Sequence, residues 1–189
     1  MTEPKLTDFT QPTPQLVEWT RDLVPGSALD IGTGNGRNAL FLAREGWAVT
    51  ANDTDQALLT ELAKSFKSQN LTGNFIEGNI SNLDLHESYD LVVCLMVLHF
   101  LDALQIIAAV DRLKAVTKPG GCCIISAFTD ANPTGTRPYL FAHNGLRDAF
   151  ATWNILHYEE HLGSWVLPPG KTDPIQYMTA RVLAEKPAV

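Results

Sequence analysis

A glycine-rich run near the N-terminus constrains the fold of this chain more than any other feature of its sequence. The run reads ALDIGTGNGRN over residues 28–38. Its first residues are apolar and predict a short strand, its glycines predict a tight loop, and the residues that follow predict a helix. A strand, a glycine-rich loop and a helix in this order are typical of a backbone cradle for a nucleotide.

The spacing of the glycines argues against a nicotinamide dinucleotide. Gly32, Gly34 and Gly36 follow the pattern G-x-G-x-G, whereas the dinucleotide motif is G-x-G-x-x-G. Asp30 stands just before the first glycine, and its negative charge would repel a pyrophosphate but attract an ammonium and a sulfonium group. These features predict S-adenosylmethionine as the ligand, with the loop backbone passing close under its methionine part.

Length, composition and charge predict one cytoplasmic domain over residues 1–189. The chain has 45% hydrophobic residues and a net charge of -7, which suits a single core and argues against a nucleic-acid partner. No stretch reaches the roughly 20 apolar residues that a membrane span needs. The three cysteines lie in or beside apolar runs, which indicates reduced core thiols, and no spacing indicates a metal site. We expect a monomer or homodimer in which the polar segment 1–14 is flexible and is a candidate lid.

Helical and strand-like patterns alternate along the chain, which predicts an α/β fold with helices on both faces of a mostly parallel sheet. Strands are expected at residues 27–31, 48–52, 74–77, 89–95, 122–127, 153–158 and 175–184. Helices are expected at residues 15–23, 37–45, 55–67, 102–116 and 145–150. Residues 118–121 are expected to form a turn with a solvated lysine, and residues 129–137 and 161–174 to form loops.

Several short stretches resemble class I S-adenosylmethionine-dependent methyltransferases, and among them the tellurite-resistance, or TehB, type. These are the glycine-rich run, Val97-Leu98-His99-Phe100-Leu101, Lys118-Pro119-Gly120-Gly121 and Asn144-Gly145-Leu146-Arg147. The resemblance implies a Rossmann-like sheet of seven strands in which the last strand runs antiparallel to the others. It also implies an enzyme that methylates a small molecule, either an organic thiol or amine or a chalcogen oxyanion such as tellurite or selenite.

The candidate cofactor-binding residues follow the predicted strands. Asp53 ends the second strand, where a carboxylate accepts both hydroxyls of a ribose; its alternative role is the N-cap of the next helix. Asn79 is expected to accept from the adenine amino group with Ile80 against the ring, and its alternative role is a turn residue. The full set of predicted cofactor contacts is Asp30, Gly32, Thr33, Gly34, Asn35, Gly36, Arg37, Asp53, Thr54, Asn79, Ile80, Cys94 and Leu95.

Two residues are candidate catalytic groups. Arg37 begins the helix after the glycines, where a guanidinium would meet the cofactor carboxylate or the substrate; the alternative is an ion pair with Glu45 or another surface acid. His99 follows the central strand, where it would orient or deprotonate a nucleophile; the alternative is a packing histidine. Further candidates for contacts with substrate are Arg137, His143, His157 and His161.

The chain departs from the TehB pattern before its last strand. Proteins of that type carry a His-Arg pair in this loop, whereas residues 163–169 read GSWVLPP. Trp165 in place of a charge indicates a more apolar pocket and favours a small organic substrate. The alternative from another class is a non-catalytic S-adenosylmethionine-binding regulator or scaffold, which the intact loop and Asp53 disfavour. A nucleic-acid methyltransferase is disfavoured because the Asn/Asp-Pro-Pro-aromatic loop that holds a flipped base is missing.

Overall fold

The computed structural model describes residues 8–85, 87–132, 140–163, 165–166 and 172–188. Its strands are β1 Ser27–Ile31, β2 Ala48–Asp53, β3 Gly73–Glu77, β4 Tyr89–Leu95, β5 Thr117–Phe128, β6 Asn154–Leu162 and β7 Met178–Glu185. Its α-helices are α1 Pro14–Thr20, α2 Arg37–Arg44, α3 Gln56–Ser68, α4 Ala103–Ala115 and α5 Gly145–Asp148. A single turn of 3-10 helix spans Leu98–Phe100.

The strands form one seven-stranded sheet in the order β3-β2-β1-β4-β5-β7-β6. β7 is antiparallel to both of its neighbours, and the other strands are parallel to one another. The predicted fold class, including the antiparallel last strand, is confirmed. The strand order reverses between β1 and β4, and ligands of open α/β sheets bind at the carboxyl ends of the strands beside such a switch point.

Both faces of the sheet are buried, because helices cover each of them. β4 lies in the centre, and its residues Leu91, Val92, Val93 and Cys94 have no exposed surface. Their side chains alternate between two hydrophobic clusters, one on each face, which explains why this strand is an unbroken apolar run. All three cysteines are buried and free, as predicted; burial raises the pKa of Cys122 to about 11 and that of Cys123 to about 12.

β5 begins earlier than predicted, because Thr117 pairs with Tyr89 of β4 and the segment expected to be a turn bonds to Lys186, directly after β7. The N–H of Gly120 donates to the carbonyl of Lys186, and the N–H of Lys186 donates to Gly121. Lys118 is not simply solvated, since its Nζ lies 2.8 Å from Asp90 Oδ2. Hydrogen bonds from Lys118 and from Ser27 lower the pKa of Asp90 to about 2.

The last two strands also differ from their predicted bounds. β6 extends to Leu162, because its pairing with β7 continues through Leu162 and Met178. β7 begins at Met178 rather than Ile175, because Ile175 forms an isolated bridge with Val166. Within the described ranges, no helix is long and apolar enough to cross a membrane.

Candidate active site

A cavity of about 500 Å³ lies at the carboxyl ends of β1, β2 and β4. This volume is within the range of small-molecule and cofactor sites, about 300–1,000 Å³. The cavity lies at the switch point of the sheet, where the fold predicts a ligand. Its walls are formed by Ile31, Gly32, Gly34, Asn52, Asp53, Thr54, Gly78, Asn79, Ile80, Met96, Val97, Phe100 and Leu101.

The three glycines of the loop after β1 have positive φ angles, of 65° at Gly32, 55° at Gly34 and 76° at Gly36. A Cβ at Gly32 would lie 2.3 Å from Val97, and a Cβ at Gly36 would lie 2.2 Å from Leu62. These two glycines therefore permit close packing of the loop against the turn after β4 and against α3. A Cβ at Gly34 would meet no atom within 4 Å, and Gly34 lines the cavity, so its missing side chain leaves room for a ligand.

Asp53 holds its carboxylate between the glycine loop and the start of α3. Its Oδ2 accepts from the N–H of Gly34 at 2.7 Å, and its Oδ1 accepts from the N–H of Asp55 at 3.1 Å. The N-cap alternative for Asp53 is wrong, because Asp55 caps α3 by accepting from Ala57 and Leu58. A carboxylate offers about four lone-pair sites. Asp53 therefore retains acceptor capacity toward the cavity for a pair of hydroxyls.

Asp30 is a buried carboxylate directly before the glycine loop. It is 2% exposed, and its Oδ2 accepts from Thr33 Oγ1 at 2.7 Å. Burial raises the pKa of Asp30 to about 7; the hydrogen bond from Thr33 and the charge of Arg37 act against this rise, and the charge of Asp53 adds to it. Asp30 Oδ1 accepts no hydrogen bond from the described residues, so it is an open acceptor beside the loop.

The loop after β3 forms the other side of the cavity. Asn79 Oδ1 accepts from the N–H of Ser81 at 3.0 Å, so Asn79 shapes the turn and also lines the cavity with buried Ile80. Asn52, which the sequence analysis missed, donates from Nδ2 to the carbonyls of Ile76 and Gly78, at 2.9 Å each. A buried polar residue at the end of an apolar strand is the signal that would have identified it.

The structure brings six of the predicted contacts to the cavity wall and leaves the others outside it. The six are Gly32, Gly34, Asp53, Thr54, Asn79 and Ile80. Cys94 is fully buried between the sheet and α4, and Leu95 packs on the opposite face. Residues beyond the end of β4 line the cavity instead, and the sequence analysis had not assigned them to the cofactor site: Met96, Val97, Phe100 and Leu101.

His99 occupies the packing position that the sequence left as an alternative. It is 3% exposed; its ring stacks on Phe128 at 4.3 Å and lies tilted against Phe100 at 4.4 Å. Tyr177 extends this row of rings, at 4.6 Å from Phe128. His99 does not line the cavity, whereas Phe100 does.

Arg37 holds the N-terminal segment across the end of the glycine loop. Its guanidinium donates to the carbonyl of Gln11 at 3.1 Å and to Thr13 Oγ1 at 3.4 Å, and lies 5.2 Å from the centre of the Phe9 ring. Asn35 donates to the carbonyl of Phe9 at 2.7 Å. We call residues 8–13 the N-terminal strap. The expected partner of a purely structural Arg37, Glu45, forms no ion pair with it in the described part of the chain.

The further histidine candidates lie outside the cavity wall. His143 Nδ1 is 2.7 Å from Glu160 Oε2, and His157 stacks on Trp19. His161 lies near Glu159 on β6. Arg137 lies outside the described residues. Among the described residues, no group of three or more His, Cys, Asp or Glu side chains is placed to hold a metal ion.

This strand order, with an antiparallel β7 and a glycine-loop cavity beside β1 and β4, is the fold of the class I S-adenosylmethionine-dependent methyltransferases. A solved S-adenosylmethionine-dependent methyltransferase from Clostridium acetobutylicum has the same fold, with a TM-score of 0.75 at 15% identity over 96% of this chain and 93% of that one. Within this class the chain belongs to the TehB family, since residues 5–175 match the family described as tellurite resistance protein TehB.

Relatives from two bacteria match most of the chain. Hemagglutinin 1 of Eikenella corrodens is 31% identical over 90% of this chain and 58% of its own length. The probable S-adenosyl-L-methionine-dependent methyltransferase TehB of Haemophilus influenzae is 28% identical over 90% of this chain and 61% of its own length. The crystal structure of TehB from Haemophilus influenzae has a TM-score of 0.84 at 28% identity, over 92% of this chain and 62% of that one. The chain thus spans about three fifths of the length of these relatives.

Proposed function

We propose that this chain binds S-adenosylmethionine in the cavity at the ends of β1, β2 and β4 and transfers its methyl group to a small molecule. The observation that carries the proposal is the pairing of an open glycine, Gly34, with a carboxylate, Asp53, that is fixed to its N–H at 2.7 Å. This pairing provides a close backbone approach and a diol acceptor in the same wall. The names and fold of the TehB relatives support the same ligand.

The residues present fit each part of the cofactor. Asp53 would accept from the ribose hydroxyls, and Ile80 and Asn79 would contact the adenine. The glycine loop would pass under the methionine part, and the open Oδ1 of Asp30 would attract its ammonium group, directly or through water. Arg37 would hold the strap rather than contact the reacting atoms, since its donors point to the carbonyl of Gln11 and to the hydroxyl of Thr13.

For methyl transfer the protein mainly has to orient a nucleophile and to exclude water. When bound, S-adenosylmethionine supplies an electrophilic methyl group together with its own leaving group. Asp53, the glycine loop and Ile80 would hold the cofactor so that its methyl group meets the nucleophile; the cofactor would keep the thioether as leaving group, and any proton on the nucleophile would pass to solvent. No base lines the cavity among the described residues apart from the carboxylate of Asp53. This favours a soft or already ionised nucleophile, such as a thiolate.

The substrate we propose is a small organic molecule rather than a tellurium or selenium oxyanion. The loop before β7 lacks the His-Arg pair of the TehB type, and of its residues 163–169 the structure describes Gly163, Trp165 and Val166. The test is transfer of tritiated methyl groups to a panel of thiols, amines, selenite and tellurite. We expect turnover of at least one organic thiol or amine. Cofactor binding without transfer to any acceptor would instead support the non-catalytic regulator.

Two glycine substitutions separate the binding role of the loop from its packing role. Gly34→Ala is expected to cost only the strain of a positive φ, roughly 1–2 kcal/mol, but to weaken S-adenosylmethionine binding by at least about tenfold, because the methyl group enters the open cradle. Gly36→Ala adds a contact with buried Leu62 to the same strain, so it is expected to destabilise the fold more. Urea denaturation and calorimetry measure the two effects. Wild-type affinity in Gly34→Ala would contradict the cradle.

The N-terminal strap is proposed to act as a lid on the cofactor. Phe9→Ala removes the ring beneath the Arg37 guanidinium, an interaction worth roughly 0.5–2 kcal/mol. We expect dissociation of S-adenosylmethionine to become several-fold faster and proteolysis within residues 8–13 to increase. Stopped-flow displacement measures the first effect. Val24→Ala, at a residue that is 86% exposed outside the cavity wall, is the control, and equal dissociation rates in all three proteins would exclude a lid.

A further inference from the structure

A polar cluster outside the cavity wall lies on one face of the sheet, formed by Arg181 of β7 with Glu159 and His161 of β6. Arg181 pairs with Glu159 across the two strands, and His161 pairs with Thr179 two residue pairs further along. Arg181 Nη1 donates to Glu159 Oε1 at 3.3 Å, and His161 Nδ1 lies 3.8 Å from the same oxygen. The cofactor site described above does not use any of these groups.

The side chain of Arg181 is largely buried, and few groups of the described residues bond to it. Its side chain is 14% exposed, whereas that of Glu159 is 42% exposed. The bond to Glu159 is the only side-chain hydrogen bond of Arg181 within the described ranges, although a guanidinium carries five N–H donors. His161 Nδ1 is also buried without a hydrogen-bond partner there. Arg181 therefore has guanidinium donors that no described residue accepts from, and these donors are available to an acceptor on a ligand.

The rungs of the sheet connect this cluster to the cavity. Arg181 pairs with Ser126 on β5, and Ser126 pairs with Leu95 on β4. Since neighbouring strands lie about 4.8 Å apart, the backbone of Arg181 is roughly 10 Å from that of Leu95. The next residue, Met96, lines the cavity and donates from its N–H to Ser126 Oγ at 3.1 Å. A molecule of modest size would reach from the guanidinium to this end of the cavity.

An aromatic row runs between the same two points. Phe100 lines the cavity, His99 and Phe128 follow at ring distances of 4.4 and 4.3 Å, and Tyr177 ends the row at 4.6 Å. Phe128 is paired with Thr179, which in turn is paired with His161. Exposed Phe100 and half-buried Tyr177 offer apolar contact area at the two ends of this row, which favours an organic body over a bare inorganic oxyanion.

We propose that Arg181, with His161 beside it, binds a carboxylate group of the methyl acceptor, so that the substrate is a small organic acid. This inference rests on the proposed methyl transfer and specifies its substrate class. A guanidinium matches a carboxylate through two parallel N–H···O bonds. Glu159 holds the guanidinium in place through one long bond and leaves its other donors for the substrate. The nucleophilic atom of the acid lies at the Met96 end of the cavity.

Matched acids and amides test this assignment. Calorimetry measures binding of benzoate and of benzamide to the protein with and without saturating S-adenosylhomocysteine. Methyl transfer is measured with 4-mercaptobenzoate and 4-mercaptobenzamide, which differ in charge but carry the same thiol. We expect wild type to prefer the acid by about tenfold or more in kcat/KM, and Arg181→Gln to lose most of that preference. The Kd for S-adenosylhomocysteine is expected to stay within about twofold, which shows that the variant is folded.

Two further variants make the result specific. Glu159→Gln keeps the Arg181 guanidinium and removes the carboxylate that competes with benzoate for its N–H donors. Binding of benzoate is therefore expected to be retained or strengthened. Arg44→Gln changes a remote arginine that bonds to Gln69 and is expected to change nothing. Equal losses for acid and amide in Arg181→Gln, or binding of selenite in preference to benzoate, would overturn the proposal. If wild type does not bind S-adenosylhomocysteine at all, the proposed function is overturned instead. Binding of benzoate, compared between wild type and Arg181→Gln, would still test the role of Arg181.

Discussion

Asp53→Ala is expected to weaken S-adenosylmethionine binding by roughly 100-fold or more. Two charge-assisted hydrogen bonds to ribose hydroxyls are lost, each worth roughly 1.5–3 kcal/mol, and about 1.4 kcal/mol corresponds to a tenfold change in Kd. The substitution also releases the N–H of Gly34, which Asp53 Oδ2 holds at 2.7 Å. Calorimetric titration measures the change directly.

Asp55→Ala is the matched control, because it removes a neighbouring carboxylate of a different function. Asp55 caps α3 by accepting from Ala57 and Leu58. Its loss is expected to lower the free energy of unfolding by roughly 1 kcal/mol while cofactor affinity stays within about threefold. If the two variants bind S-adenosylmethionine equally well, Asp53 does not hold the ribose.

Asp30→Asn is expected to stabilise the cofactor-free protein at about pH 8. Burial raises the pKa of Asp30 to about 7 from its ordinary value of 3.8, so the folded state holds this proton more tightly than the unfolded state. Ionising the buried carboxyl therefore costs the folded state free energy. This cost is absent below about pH 4, grows as the pH rises to about 7, and is constant above that. It reaches up to roughly 4 kcal/mol, at 1.36 kcal/mol for each unit of pKa. Asparagine is neutral at every pH, so the variant does not carry this cost.

Urea denaturation at about pH 5 and about pH 8 measures this effect. We expect the gain in unfolding free energy from Asp30→Asn to be about two to three times larger at the higher pH. Asp90→Asn is a control of opposite sign, because the pKa of Asp90 is lowered to about 2 and its carboxylate stabilises the fold above the ordinary pKa. A destabilised Asp30→Asn protein at pH 8 would show that the ionised carboxylate is required for folding.

Asp30→Asn is also expected to weaken the binding of S-adenosylmethionine. The ammonium group of S-adenosylmethionine favours ionised Asp30, so wild-type affinity is expected to rise between about pH 6 and pH 8, and Asp30→Asn to lose this dependence. At about pH 8 the variant is expected to bind at least about tenfold more weakly. An affinity that is independent of pH in wild type and unchanged in the variant would place the ammonium elsewhere. Stability and binding therefore compete at this one carboxylate.

Most of the fold could be predicted from the sequence because its signals are local. The glycine run, the apolar strand β4 and the cap at Asp55 each depend on a few consecutive residues, and the structure has these elements where the patterns indicated. The resemblance to the TehB type supplied what no local pattern shows, the antiparallel direction of β7. The starts of β5 and β7 were misplaced, because they depend on which distant backbone pairs with Gly120 and with Ile175.

The candidate site could be predicted only in part. Asp53 and Gly34 were found because they follow strands directly. Phe100 was missed as a residue of the cavity wall, because the turn after β4, where Met96 has a φ of 61°, decides which side chains face the cavity. The partners of Arg37 lie some 25 residues away in the N-terminal strap, and no pattern in the sequence joins these segments. Arg181 lies beside Glu159 because of the register between β6 and β7, which no local pattern in the sequence shows.

Calorimetric titration of the 189-residue chain with S-adenosylmethionine and, separately, with NADH tests the central claim most directly. We expect one site for S-adenosylmethionine with a Kd on the order of micromolar, within the range common for enzyme ligands, and no binding of NADH. Absence of heat with both S-adenosylmethionine and S-adenosylhomocysteine, at protein concentrations well above that Kd, would contradict the assignment of the cavity and of every residue placed around it.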